Sequence, residues 1–174
     1  PKNESDKKVF FDVNILGTQN LLNGLNQASI IPKSFVFISS VAVYGLNQGV
    51  GIDENAPLQA KDPYGLSKIL AEQLVLEWCE RNNVICTILR LPLLVGENPP
   101  GNLGAMILAI NKGFYFNIAG GKAKKSMVLA DDVAKIILAK QLKNRLTPQN
   151  IYKIMEWFQF LLSKRNSQSY QLKY

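Results

Sequence analysis

A short continuous apolar run and a longer strand-like run, set between amphipathic stretches, constrain this chain more than any other feature. One is Ser34-Phe-Val-Phe-Ile38. The other covers residues 84–95 and is closed by the loop Gly96-Glu-Asn-Pro-Pro-Gly101. A strand with one dry face alternates apolar and polar residues; a strand apolar at every position has two dry faces, as in a parallel sheet covered by helices. The stretches between the runs supply those helices. Residues 13–28 place Ile15, Leu16, Leu21, Leu22 and Leu25 on a helical stripe, broken by Pro32. Residues 45–61 read as a loop rich in Gly, Asn and Pro. A second helix begins sharply, with Asp62 at the cap and Pro63 in the first turn, where its missing N–H costs nothing. It should run to about Arg81 and bury Leu66, Ile69, Leu70, Leu74 and Leu76. Further on, the pattern predicts a helix over 103–111, a short strand at 115–118 and a last strand at 151–155. Between those strands, Asp131 and Asp132 open a helix through Lys140 with carboxylates at its positive end. There is no internal repeat. Alternating helices and buried strands predict an α/β layer fold with parallel pairing.

Composition narrows the chemistry. The 174 residues are 47% hydrophobic, enough for one domain with a proper core and too apolar for a disordered chain. Histidine is absent, which removes Ser-His-Asp and Cys-His nucleophile systems and every His-containing metal site. Cys79 and Cys86 are too few for a disulfide framework or a four-thiolate zinc site, so no metal and a reducing, cytoplasmic setting are expected. No apolar run approaches the roughly 20 residues of a membrane span, and no signal peptide opens the sequence. The net charge of +7 is concentrated at the end: from Lys140 onward seven basic residues face Glu156 alone. The body is nearly neutral and carries no footprint for a polyanion, so neither nucleic acid nor membrane is an expected partner.

Tyr64 and Lys68 are the first candidates for chemistry. Four residues apart on a helix, their side chains share one face. An ammonium beside a phenol stabilises the phenolate and brings its pKa towards neutrality, giving an acid or base to a chain without histidine. The pair alone also arises by chance on many helices. Context strengthens it, because Ser39 and Ser40 follow the 34–38 strand at its carboxyl end, where ligands bind in open α/β sheets. Ser39 reads as satisfying backbone groups there, whereas Ser40 can donate to a substrate oxygen.

These residues resemble the extended short-chain dehydrogenase/reductase family, in particular its nucleoside-diphosphate-sugar epimerases of the NAD-dependent epimerase/dehydratase type. The resemblance spans about residues 12–140. Asn14-Ile-Leu-Gly17-Thr18 is similar to the family's Asn-x-x-Gly-Thr helix, and Ser39-Ser-Val-Ala-Val-Tyr44-Gly45 to its Ser-Ser-x-x-Val-Tyr-Gly strand end. Asp53-Glu54 with Pro57, then Pro63-Tyr64-Gly65-Leu-Ser67-Lys68 and Ala71-Glu72, are similar to its catalytic loop and helix. Leu89-Arg90-Leu-Pro92 with Val95-Gly96 corresponds to the segment after the family's next strand. The resemblance implies a Rossmann-like three-layer doubly wound parallel sheet, of which this chain carries the second half with part of the small substrate region. Residues 1–155 would be a partial NAD(P)-binding domain with substrate-region insertions near 96–130, and 156–174 a basic tail. It further implies Ser40, Tyr64 and Lys68 as the catalytic triad, with Lys68 holding the nicotinamide ribose of NAD or NADP. Asn14, Ser39 and Pro92 would join Tyr64 and Lys68 at the cofactor. Tyr44, Asn102, Leu103 and Lys125 would join Ser40 at a nucleotide-sugar substrate. Read without the resemblance, Asn102 is an ordinary helix cap and Lys125 a solvated loop lysine. A homodimer is the expected assembly.

Departures from the family pattern refine the expectation. Val41 and Ala42 stand where the dehydratase branch has an Asp-Glu pair, so sugar dehydration loses its acid and base. Leu93 stands where many sugar epimerases have a phosphate-contacting asparagine. No G-x-G-x-x-G or G-x-x-G-x-x-G occurs in these residues. The pyrophosphate of a dinucleotide is held by backbone amides of such a turn and by the following helix's positive end. This chain alone is therefore expected to bind NAD(P) weakly. Two rivals to the epimerase remain: a carbonyl reductase of the same family acting on a substrate without a nucleotide, and an inactive truncated scaffold.

Overall fold

The structure, a computed structural model, describes residues 4–29, 31–49, 51–97, 101–114 and 126–143. They form two compact units, one ending at Arg90 and one running from Leu91 to Lys143. The first unit opens with a long helical segment: α1 (Glu4–Phe11), a π-helical stretch (Asp12–Leu16) and α2 (Gly17–Gln27). Then come β1 (Ser34–Ser40), a 3-10 turn (Val41–Tyr44), α3 (Pro63–Arg81) and β2 (Ile85–Leu91). β1 and β2 are neighbours, and the Ile85 N–H donates to the Lys33 carbonyl at 3.1 Å where both strands begin, so the pair is parallel. The second unit holds β3 (Leu93–Val95), α4 (Gly101–Asn111), β4 (Met127–Leu129) and α5 (Ala130–Lys143), with β3 and β4 parallel. No helix among the described residues is long and apolar enough to cross a membrane.

The strands and helices expected within the described residues are present, but β4 (Met127–Leu129) forms where the sequence pattern predicts no strand, and three further differences stand out. The run 84–95 is two strands rather than one. Pro92 has no N–H for a ladder, and β2 and β3 on either side of it pair with different partners. The first helix starts nine residues before the expected position 13, because its early turns pack on α3 through Phe10 and Tyr64, rings 5.4 Å apart edge to face. The strands expected at 115–118 and 151–155, and the tail from 156, lie outside the described residues.

The buried face of α3 is the third difference. Leu66 and Leu70 are 37% and 40% exposed, and Ile69, Leu74 and Leu76 are half-buried. The buried positions are instead Gly65, Ser67, Ala71, Glu72, Val75, Trp78 and Cys79. They recur with helical period, but most are small or polar, so a reading that sought leucines picked the neighbouring stripe. Leu16 and Leu21 of the first helix are exposed for the same reason, and Leu22 is the buried one. Small residues let helices approach closely. A Cβ at Gly65 would lie 2.5 Å from the Ala60 Cβ and 2.9 Å from the Ala42 carbonyl.

The core of this unit gathers Leu22, Val75, Trp78, Cys79, Val84 and Cys86, with Phe35, Phe37 and Ile88 packed against them from the strands. Trp78 donates its indole N–H to the Asn26 side chain at 2.8 Å, which satisfies its one polar atom and ties α2 to α3. A hydrogen bond with Cys79, and burial, push the Cys86 thiol well up, so it stays protonated.

After the 3-10 turn, Gly45 has φ of +66° and donates its N–H to the Ala42 carbonyl at 3.0 Å. The chain comes back past it, with the Gln59 and Ala60 N–H groups both donating to the Val43 carbonyl. A Cβ at Gly45 would stand 2.4 Å from the Gln59 carbonyl oxygen. Gly45→Ala therefore combines a strained φ with a backbone clash. We expect it to cost at least about 2 kcal/mol in urea unfolding of the chain.

Candidate active site

The carboxyl end of β1 presents Ser39 and Ser40 consecutively, and they do different work. Ser39 is buried, and its hydroxyl donates to Glu72 Oε1 at 2.5 Å. Ser40 is half-buried and extended; its Oγ accepts the Ala42 N–H at 3.2 Å and so caps the 3-10 turn. A hydroxyl has one proton to give and two lone pairs. The bond to Ala42 uses a lone pair and leaves the Ser40 proton for another acceptor.

α3 supplies the other candidates. Asp62 caps it, accepting the Gly65 N–H at 2.9 Å, and Pro63 stands in its first turn as the sequence predicts. Tyr64, Lys68 and Glu72 recur at intervals of four, along one face. The Lys68 ammonium donates to the Ile38 carbonyl at 3.3 Å and lies 5.3 Å from the centre of the Phe37 ring. Lys68 is thereby drawn to the same strand end as Ser39 and Ser40. Partial burial pushes its pKa below the usual lysine value, while the Glu72 carboxylate pulls it partly back. Both groups packed on the ammonium from β1, a carbonyl and an aromatic face, favour the cation without neutralising it.

Asn14 enters from the π-helical stretch. Its side-chain amide donates to Ser67 Oγ at 2.9 Å, and the Ser67 hydroxyl donates to the Tyr64 carbonyl at 2.8 Å. The Thr18 hydroxyl returns to the Asn14 carbonyl at 2.6 Å. Asn14 therefore meets the first turn of α3 directly. π-helical interruptions are rare and cluster at functional sites, which agrees with a candidate residue at the middle of this one.

Behind the serines lies a buried ion pair to which the sequence alone assigned no role. Arg90 on β2 grips Glu72 with two nitrogens, the closest contact being Nη2 to Oε2 at 2.8 Å. The side chains of Arg90 and Glu72 are 11% and 2% exposed. Arg90 Nη1 also donates to the Tyr44 hydroxyl at 3.1 Å and the Glu54 carbonyl at 3.2 Å, and its guanidinium stacks 5.2 Å from the Tyr44 ring centre. The carboxylate and these hydrogen bonds keep the guanidinium charged despite its burial. Tyr44, expected at the substrate, is thus buried with its hydroxyl accepting from Arg90. Glu72 stands one turn beyond Lys68 on the same face, and that spacing was the available clue.

Of the remaining expected residues, Pro92, Asn102 and Leu103 belong to the second unit. Pro92 is half-buried between β2 and β3; Asn102 and Leu103 are in the first turn of α4, where Leu103 is half-buried. Lys125 lies outside the described residues.

Parallel strands, helices between them and ligand-type residues at a strand's carboxyl end define an α/β fold of the Rossmann kind. Solved structures agree. The chain superposes on a UDP-glucuronic acid 4-epimerase from Bacillus cereus in complex with NAD with a TM-score of 0.71 at 24% identity, over 87% of this chain and 48% of that one. It superposes on a UDP-galactose 4-epimerase with a TM-score of 0.66 at 22% identity, over 85% and 50%. The model of the NAD dependent epimerase/dehydratase family matches residues 1–154, and the chain belongs to that family. Among relatives in sequence, it is 32% identical over 154 residues to the N-acetyl-alpha-D-glucosaminyl-diphospho-ditrans,octacis-undecaprenol 4-epimerase of Escherichia coli O157:H7, covering 87% of this chain and 45% of the relative. It is also 32% identical over 143 residues to a putative UDP-glucose 4-epimerase of Methanocaldococcus jannaschii, covering 78% and 46%. The chain thus spans about half the length of these relatives.

The ion pair yields a prediction independent of activity. Removing one partner of a buried pair strands the other's charge, whereas replacing both is far milder. Arg90→Met should destabilise the chain by about 3 kcal/mol, and Glu72→Gln together with Arg90→Met by distinctly less, as read from paired denaturation curves.

Proposed function

We propose that this chain forms the catalytic part of an NAD(P)-linked epimerase acting on a hexose carried by a diphosphate. The observation that carries the reading is the seat of Lys68: one turn from Tyr64 on α3, with its ammonium on the Ile38 carbonyl beside Ser40. The ammonium is partly desolvated, and Tyr64 precedes it by one turn on the same helix face. Tyr64 takes the proton from a sugar hydroxyl and later returns it. Ser40, with its own proton available, orients the substrate oxygen, and Lys68 holds the phenolate and a cofactor ribose hydroxyl.

A nicotinamide bound there supplies a hydride acceptor that becomes a donor in the second half of the reaction. The residues present fit its ribose end, since a half-buried ammonium stands at the strand terminus where such a hydroxyl would be recognised. Asn14, through Ser67, holds the first turn of α3 at that position. The Ser39 hydroxyl proton goes to Glu72, so Ser39 would serve the cofactor through its backbone or through what it anchors. Pro92 shapes the segment after β2.

The substrate class draws on the relatives' names, which share a sugar on a diphosphate, attached to uridine in one and to a polyprenyl chain in another. Asn102 and Leu103 at the start of α4, with Lys125, are assigned to that diphosphate, because a helix start favours anions. Leu93 in place of an amide leaves these three with more of the task.

Two measurements test the reading. In a chain joining these residues to a Gly-rich dinucleotide-binding half, sugar epimers should interconvert without net change in nicotinamide absorbance. Net consumption of reduced cofactor would identify a carbonyl reductase instead, and binding without turnover a scaffold. In the same protein Tyr64→Phe should lower turnover by about 10²–10⁴, the usual worth of a positioned acid or base, and leave the melting temperature nearly unchanged. A variant retaining a tenth of the activity or more would exclude Tyr64 as the proton carrier.

β1 pairs with β2 on one edge and with no other strand among the described residues. An open edge favours association, so light scattering on the isolated chain should report a dimer or larger species.

A further inference from the structure

β1 and α3 touch through two consecutive residues of the strand and two consecutive turns of the helix. The Ile38 carbonyl accepts the Lys68 ammonium, and the Ser39 hydroxyl donates to the Glu72 carboxylate. Neither contact is casual. Ser39 and Glu72 are 4% and 1% exposed, so their bond is made out of water, and the second charge that balances Glu72 is Arg90 on β2. A backbone carbonyl can seat an ammonium only if the strand stays at a fixed distance and rotation from the helix. The Lys68 bond is long at 3.3 Å and sits near the surface, so it is too weak to set that distance itself. The charge-assisted bond one residue on is strong enough.

We propose that Glu72 is a positioning residue: its carboxylate, clamped by Arg90 and holding the Ser39 hydroxyl, fixes the end of β1 so that the Ile38 carbonyl seats Lys68 and Ser40 is presented beside it. The side chains of Glu72 and Ser39 touch neither substrate nor cofactor in this scheme; they act through their neighbours. The assignment rests on the reading of Lys68 and Ser40 as working groups, yet it makes a claim about the chain itself that can fail separately.

Three features make the clamp more than general packing. The carboxylate is shared between both strands, so it sets the relative height of β1 and β2 as well as of α3. Arg90 carries the same restraint to the turn and loop through Tyr44 and Glu54, and the loop leads into the α3 cap at Asp62. Finally, Glu72 is the opposing charge that acts on the Lys68 ammonium and partly offsets the effect of its burial, so the group that fixes the strand end also bears on the lysine's protonation.

The test measures the reactivity of Lys68 in the 174-residue chain by competitive acylation at one mildly alkaline pH, with mass spectrometry of the peptides and the exposed Lys33 and Lys61 as internal standards. Glu72→Gln removes the charge but keeps an acceptor for Ser39. It should raise acylation of Lys68 relative to the standards roughly threefold, because the opposing charge that favours the protonated ammonium is gone. Ser39→Ala leaves the ion pair intact and removes only the rung to the strand; it should raise Lys68 acylation as well, and Ser39→Thr should restore the parent value. A role confined to stability would lower the melting temperature and change the standards and Lys68 alike. If Glu72→Gln does not fold, the Ser39 pair decides. Lys68 acylation equal to the parent's in Ser39→Ala, or in a folded Glu72→Gln, would overturn the assignment. That result would leave the proton-transfer role of Tyr64 untouched, since turnover of sugar epimers tests it independently.

Discussion

Glu72 and Arg90 are almost completely withdrawn from water, and such an ion pair is tolerated only when nearly every polar atom finds a partner. Here the partners are structural joints. Glu72 reaches β1 through Ser39; Arg90 reaches the 3-10 turn through Tyr44 and the loop through the Glu54 carbonyl. A pair of hydrophobic residues in the same space would be at least as stable, but it would not specify direction. The polar pair does, because each hydrogen bond is made at one distance and one angle.

The rest of the unit is arranged to let that pair form. α3 can approach the strand end only because its inner face is Gly65, Ser67 and Ala71, with larger residues reserved for the core further along. Gly65 in particular leaves room for the Ala60 methyl and the Ala42 carbonyl. Small residues bring the helix in, the ion pair sets where it stops, and Val75, Trp78 and Cys79 fill the remaining space with Phe35 and Cys86 from the strands. Thr87 Oγ1 is the exception, a buried polar atom without a protein partner among the described residues.

Much of this was legible in the sequence. The continuous apolar run at 34–38 and the strand-like run from residue 84 identified both strands of the first unit, and Asp62-Pro63 identified the start of α3 to the residue, because capping and proline chemistry act locally. Ser39 and Ser40 stand at the end of β1 and Lys68 reaches it through the Ile38 carbonyl, since topology decides that and topology follows from the alternation of elements; Tyr64 lies one turn before Lys68, with its ring on Phe10. What stayed hidden depended on non-local approach. The buried face of α3 is built from residues that no hydrophobicity pattern rewards, so its leucines drew the eye to the wrong stripe. The partition at Pro92 required knowing that β2 and β3 have different partners. Glu72 and Arg90, eighteen positions apart on different elements, stood in two separate motifs with no role assigned until the fold set them against each other.

Asn14 holds α3 from the opposite side. In an unbroken α-helix one extra residue cannot be inserted without turning every later side chain; the π-helical stretch from Asp12 to Leu16 absorbs it locally. Asn14 then faces Ser67, and through Ser67 the Tyr64 carbonyl, while the Thr18 hydroxyl donates to the Asn14 carbonyl. The first turn of α3 is therefore held by amide and hydroxyl hydrogen bonds, and the third by a charge pair. Lys68 sits between Ser67 and Glu72, and Tyr64 is tied to the first of them through its own carbonyl. A helix held at two points along its N-terminal half cannot rotate or slide there without breaking a polar contact, and each such break costs of order 1–3 kcal/mol. The two side chains proposed to move protons and bind a cofactor thus stand on a stretch of α3 held by polar contacts from both neighbouring elements, while the Lys68 tip is held only by a long bond to the Ile38 carbonyl.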